Sequence, residues 1–207
     1  MINSLIERYP SLAACRAEIE SAVEVLVKSY ESGGKLLLCG NGGSASDCDH
    51  IVGELMKGFL LKRPLDGDMR ADMLHRCPEL RSDVLDSLQM GLPAIALHSA
   101  TAFQTAFAND VSAELVYAQA TLALGNKNDV LLAISTSGNS KNVVRAAEVA
   151  RARGLAVIGL TGQGGGDLKG LSDVCICVPE CETYKVQELH LPVYHYICAE
   201  LERHFFG

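Results

Sequence analysis

No stretch of this 207-residue chain approaches the ~18 uninterrupted apolar residues that a membrane-spanning helix requires. Positive charge is also scarce. The 18 lysines and arginines face 25 aspartates and glutamates, a formal charge of −7, which argues against nucleic acid or an anionic membrane as a partner. The opening MINSLIERYP has no charged start followed by an apolar segment, so no secretory signal is expected. The eight cysteines (15, 39, 48, 77, 175, 177, 181 and 198) therefore read as reduced thiols in a cytoplasmic protein. None of them forms a CxxC pair, which removes the usual cysteine framework for zinc. Repeats and low-complexity tracts are missing too. Neither GxGxxG nor GxxxxGK[ST] occurs, so a dinucleotide or a nucleoside triphosphate is not indicated.

What is present is a chain that is 48% hydrophobic, enough to bury one core as a single domain over 1–207. Five runs read as strands: KLLLC (35–39), PAIAL (93–97), DVLLAIS (129–135), LAVIGLT (155–161) and a shorter DVCICVP (173–179). They are apolar almost throughout instead of alternating, as strands covered on both faces must be. Helical patterns fall between most of them, at 44–60, 112–124, 141–153 and 166–171. Strand and helix in repetition predict an α/β fold: a five-stranded parallel sheet with right-handed crossovers and helices on both faces. A helix of about 25 residues is expected to open the chain, ended by Gly33 and Gly34. Another, at about 184–205, closes it with Pro192 near its start or kinking it. The charged segment 62–90, with a helix expected at 79–90, delays the second strand. Residues 99–110 are small and polar, where α/β proteins place ligand loops.

Two strand ends are rich in backbone and hydroxyl donors: GNGGSAS (40–46) and STSGNS (135–140). Glycine admits an anion close to the backbone, and free amides at a helix start attract it. A sugar phosphate is the economical ligand for the two together. Taken singly, Ser44 reads equally well as an N-cap and SGNS as an ordinary turn. Beyond the first loop, His50 and Glu54 stand four apart and share a helix face. They suit a general acid/base pair, two metal ligands, or a plain solvated pair. The last helix adds Gln187, His190 and His195 in VQELHLPVYH, where spacing alone does not establish a metal site.

The segments CGNGGSASDCDHIVGEL, AFANDVS, LLAISTSGNSKNV, VIGLTGQGGGDL and VQELHLPVYH, in this order and spacing, resemble the phosphoheptose isomerases of the sugar isomerase (SIS) fold. The resemblance covers about 35–61 and 93–205. It implies a single SIS domain carrying an inserted segment at 62–90, and the activity of a sedoheptulose 7-phosphate isomerase. It further implies that Asn41, Gly42, Gly43, Asn109 and Asp110 contact the sugar and that Ser135, Thr136, Ser137 and Ser140 hold the phosphate. His50, Glu54, Gln187 and His195 match the zinc ligands of metal-containing members, one ion per subunit. Of these, Glu54 and Gln187 also face substrate, and Glu54 and His195 match the base and acid; the role of His190 is open.

An aldose–ketose interconversion moves a proton between adjacent carbons through an enediol, and needs a base, an acid and stabilisation of the developing charge. The resemblance supplies Glu54 and His195 for the first two, and it implies a homotetramer with active sites between subunits. The chain departs from the family in the insertion, which reads as an elaborated surface helix, or as a lid or subunit contact that reshapes the pocket. It departs again at ELMKGF, where Lys57 stands near the place of a family arginine. A non-catalytic SIS regulator, or an isomerase of a different phosphosugar, is the rival expectation.

Overall fold

The computed structural model describes residues 2–207. The expected long first helix is broken in two: α1 (Ile2–Arg8) and α2 (Arg16–Glu31), joined by a 3₁₀ turn over Pro10–Cys15. Pro10 is the physical reason. A residue before proline is driven out of the helical region, and Tyr9 sits at φ −130°, ψ 74°.

From there the chain alternates as the apolar runs predict. β1 (Leu36–Cys39) leads to α3 (Gly43–Met56); then α4 (Gly67–Arg76), α5 (Ser82–Ser87), β2 (Ala94–Ala96), α6 (Thr101–Phe107) and α7 (Val116–Leu124) follow. β3 (Val130–Ser135), α8 (Lys141–Ala152), β4 (Ala156–Thr161), α9 (Gly166–Leu171), β5 (Val174–Cys177) and α10 (Thr183–Phe206) complete it. All five strands are parallel, in the order β2-β1-β3-β4-β5. Every residue of β1 and β3 is buried, which is why their sequences do not alternate.

Strand side chains divide between two cores. Leu36, Leu38, Leu132 and Ile134 face Ile19, Leu26, Ile51, Leu55, Val193 and Leu201 of α2, α3 and α10. Leu37, Leu131, Ala133 and Val157 face Val116, Val143, Ala147 and Leu168 of α7, α8 and α9. In this strand order the chain leaves β1 toward opposite sides, and the crevice beyond β1 and β3 is the natural ligand position. The two donor-rich loops open into it.

Three expectations are corrected. The 79–90 helix shrinks to Ser82–Ser87 because Arg81 and Leu88 are extended, while α4, capped by the Asp66 carboxylate accepting from Met69 N (2.7 Å), had no expected counterpart. The 99–110 segment is not a loop: it is α6 followed by a π-helical turn over Ala108–Ser112 and a 3₁₀ turn over Ala113–Leu115. The helix from 44 ends at Met56, so Phe59 lies beyond it. The insertion stands largely in solvent, with no residue of α4 buried and only Leu85 of α5 buried. Its ends are joined by a Pro64–Gln89 bridge and by Met90 N donating to Arg63 O (2.7 Å). Pro192 lies inside α10. No helix among the described residues is long and apolar enough to cross a membrane.

Candidate functional site

The first loop owes its shape to glycine. Gly42 adopts φ +56° immediately before α3, a region that other residues avoid. A Cβ on Gly43 would lie 2.5 Å from Gln187 Nε2, so the bare backbone here is what lets Gln187 of α10 rest on the start of α3. Ser44 is not the N-cap, since α3 begins at Gly43. The loop is tied down by Tyr117, whose hydroxyl donates to Gly40 O (2.7 Å).

The second loop is built on Gly138, at φ +68°, where a Cβ would meet Gly165 O at 2.0 Å. Ser135 donates to Ser140 Oγ (3.0 Å), and Asn139 N donates to Ser137 Oγ (3.1 Å). Ser140 makes no side-chain cap bond to α8. Asn41 and Asn142 exchange side-chain amide hydrogen bonds at 2.8 and 2.9 Å, which fastens the two loops together. Neither α3 nor α8 carries an acidic side chain in its first turn, so both helix starts remain favourable to an anion. Asn109 donates to its neighbour Asp110 (2.9 Å) on the exposed turn. No hydrogen bond joins that pair to either loop among the described residues.

α3 and α10 lie side by side and run in the same direction, so Gly43 meets Gln187 while, two turns on, His50 meets His195. His50 Nε2 stands 3.3 Å from Glu54 Oε1 and 3.5 Å from His195 Nε2. Glu54 is largely buried, at 14% side-chain exposure, while His50 keeps 42%, so solvent reaches the imidazole more than the carboxylate. Lys57 Nζ approaches the other carboxylate oxygen at 3.3 Å. The ring of Phe59 packs on His195 with centroids 5.6 Å apart. Burial pushes the His195 pKa down, the nearby His50 lowers it further, and Glu54 pulls the other way.

Behind the trio is a relay that the sequence did not announce. Tyr194 lies 3.0 Å from His50 Nδ1, and its hydroxyl donates to Asp47 Oδ1 at 3.2 Å. With its proton spent on Asp47, the hydroxyl accepts from His50 Nδ1–H and leaves Nε2 with a lone pair directed at Glu54 and His195. The clue available in the sequence was position alone: Asp47 precedes His50 by three, and Tyr194 adjoins His195. Burial raises the Asp47 pKa, against the Tyr194 hydrogen bond and His50.

His50 Nε2 lies within reach of both Glu54 Oε1 and His195 Nε2, which suits a shared proton or a cation. Donor separations of 3.3 and 3.5 Å are those of a tetrahedron around an ion bound at about 2.0–2.1 Å, and imidazole with carboxylate is a zinc-type donor set. The chemistry of the trio therefore fits the ion, although no three His, Cys, Asp or Glu side chains among the described residues form a ready metal site. Gln187 is not brought to the trio; it rests two helical turns away against Gly43. His190 is outside it as well. It is completely buried on α10. Burial lowers its pKa to about 4, offset in part by the backbone of Thr161.

A family profile described as "SIS domain" matches residues 3–82 and 82–162. The phosphoheptose isomerase of Helicobacter pylori strain P12 is 40% identical over 195 residues, spanning 94% of this chain and 88% of that protein. That of Burkholderia pseudomallei strain 1710b is 36% identical over 211 residues, spanning 99% and 94%. The solved structure of a phosphoheptose isomerase from Francisella tularensis superposes with a TM-score of 0.75 at 30% identity, covering 97% of this chain and 94% of the other.

Proposed function

Because the chain belongs to the phosphoheptose isomerase family of SIS-domain proteins and is an isomerase of sugar phosphates, we propose that it interconverts sedoheptulose 7-phosphate and D-glycero-D-manno-heptose 7-phosphate. The observation that carries this reading is the convergence of Glu54, His50 and His195 on paired helices, one of which starts at the crevice where the donor-rich loops meet.

In this reading the substrate phosphate binds Ser135, Thr136, Ser137 and Ser140 at the start of α8. Held there, it orients the far end of the sugar against Asn41, Gly42 and Gly43, with Asn109, Asp110 and Gln187 completing the contacts. Glu54 removes the proton beside the carbonyl, and His195 delivers a proton to the carbonyl oxygen, giving the enediol. Glu54 then returns its proton to the neighbouring carbon while His195 takes the proton of the other enediol hydroxyl, which forms the new carbonyl and restores both groups. Tyr194 and Asp47 hold the ring of His50, and the Phe59 ring shields His195 on one side. Zinc would be held by His50, Glu54 and His195, with Gln187 as a candidate fourth ligand. When bound, such an ion supplies a Lewis acid that polarises the sugar oxygens.

The site is further proposed to lie between subunits of a homotetramer. A groove of about 580 Å³ beside His195 is lined by Leu5, Tyr9, Leu60, Leu191 and Pro192, and Leu60 and Leu191 are 65% and 40% exposed. An apolar surface adjoining a reactive histidine suits cover by a second copy; light scattering of the purified protein tests the assembly. The reaction is tested by NMR of the zinc-supplemented protein with sedoheptulose 7-phosphate in deuterated water. New aldose signals, with loss of the proton beside the carbonyl, support the proposal. Exchange without aldose keeps the base and rejects this substrate. No change at all rejects the reaction on this sugar and favours another phosphosugar or a binding role.

A further inference from the structure

Arg63 is the largest completely buried side chain of the protein. A guanidinium keeps its charge at any ordinary pH, so burial is tolerable only where every donor direction is answered. Here Nε donates to Glu202 Oε1 (2.7 Å), one terminal nitrogen to Leu55 O (2.7 Å) and the other to Glu54 O (3.1 Å). The guanidinium carbon lies 4.7 Å from the centre of the Phe206 ring. Glu202, equally buried, accepts from the amides of Phe59 (2.8 Å), Leu60 (2.7 Å) and Leu61 (3.0 Å).

Glu54 O and Leu55 O belong to the last turn of α3, whose carbonyls have no partner within the helix. Lys57 ends that helix in an extended conformation, and Gly58 after it does not take the positive φ of a glycine cap. The fork of Arg63 closes it instead, and one of its two acceptors is the carbonyl of Glu54 itself. Through Glu202 the same side chain fixes the amide of Phe59, whose ring lies against His195. One buried group therefore sets the backbone under one end of the reacting pair and the wall beside the other.

We propose that Arg63, acting through its hydrogen bonds to Glu54 O, Leu55 O and Glu202, is a positioning residue that holds Glu54 and His195 in register for proton transfer. The inference rests on the reading of those two as base and acid. Neither Arg63 nor Glu202 touches substrate, so their effect falls on turnover and not on binding. Lysine at 63 keeps the charge but cannot reach three acceptors in different directions.

The test measures kcat, KM and melting temperature for Arg63→Lys, with Leu155→Ala as a destabilised control. Leu155 is buried at the amino end of β4, remote from the crevice. We expect Arg63→Lys to lower kcat about 10- to 100-fold with KM little changed, as small misplacements of reacting groups do, while Leu155→Ala lowers the melting temperature and keeps kcat. If Arg63→Lys loses stability but keeps kcat, Arg63 is only a structural bond and the inference falls. Should that variant fail to fold, Glu202→Gln takes its place: lowered kcat supports the inference and unchanged kcat overturns it. Glu54→Gln separates the two layers, because an active Glu54→Gln enzyme removes the base assignment itself, whatever Arg63 does.

Discussion

Mild acid should weaken this fold through one residue, His190. Its ring is completely buried, with the backbone of Thr161 offsetting that burial only in part, and it titrates near 4 in the folded protein against 6.5 ordinarily. Above 6.5 the ring is neutral in both states and has no effect on the balance. As the pH falls below 6.5 the unfolded chain takes up a proton that the folded protein refuses, so stability declines until the folded ring also protonates near 4. Each pH unit in that interval costs about 1.4 kcal/mol, which makes the loss between pH 7 and 5 about 2 kcal/mol. In a protein of this size that is roughly 4–8 °C in melting temperature. Carboxylates also titrate toward the lower end of this range, so the measurement is a difference: thermal unfolding of wild type and His190→Leu at pH 7 and at pH 5. Leucine fills much of the same space and takes up no proton. The wild type should lose that extra 4–8 °C. Parallel declines in the two proteins would refute the claim that His190 is held neutral by burial.

Glu54→Gln should leave a folded protein that binds sugar phosphate yet turns over at least ~100-fold more slowly, measured by aldose formation; a near-normal rate removes the base. Tyr194→Phe frees His50 Nδ1 and should weaken zinc binding about 10- to 100-fold by competition with a chelating dye, whereas unchanged affinity would mean that the relay does not orient the ring. Gly138→Ala forces a side chain into positive φ and against Gly165 O, and should cost roughly 2–4 kcal/mol in denaturant unfolding. The same variant should raise KM for the phosphorylated sugar.

The sheet was legible because its strands are covered on both faces. Runs such as VLLAIS are apolar up to the closing Ser135, and each run became a strand. The elements misread were those whose form is set by one residue or by tertiary contacts. Pro10 divides the first helix at Tyr9, and the small polar residues of 99–110 coil into α6 under contacts that no local pattern reveals. At the site, spacing put His50 and Glu54 on one face, but only the parallel pairing of α3 with α10 shows that His195 joins them and that Gln187 stays at the first loop. Asn142, which locks the loops together, and Arg63, buried 9 residues beyond Glu54, were invisible for the same reason. Charged and amide side chains declare nothing in a sequence when their partners are backbone carbonyls or residues 101 to 139 positions away.

The pairing of α3 with α10 also bears on how the protein is made. His50 and His195 are 145 residues apart, and α10 follows the last strand. A ribosome adding about 5–20 residues per second therefore finishes the whole sheet before His195 exists. Until α10 docks, the apolar core that it shares with α2 and α3, which holds Leu38, Ile134 and Leu160, is incompletely covered. The nascent chain is thus inert toward sugar and most prone to stick to other chains during the same interval. A single docking event ends both conditions.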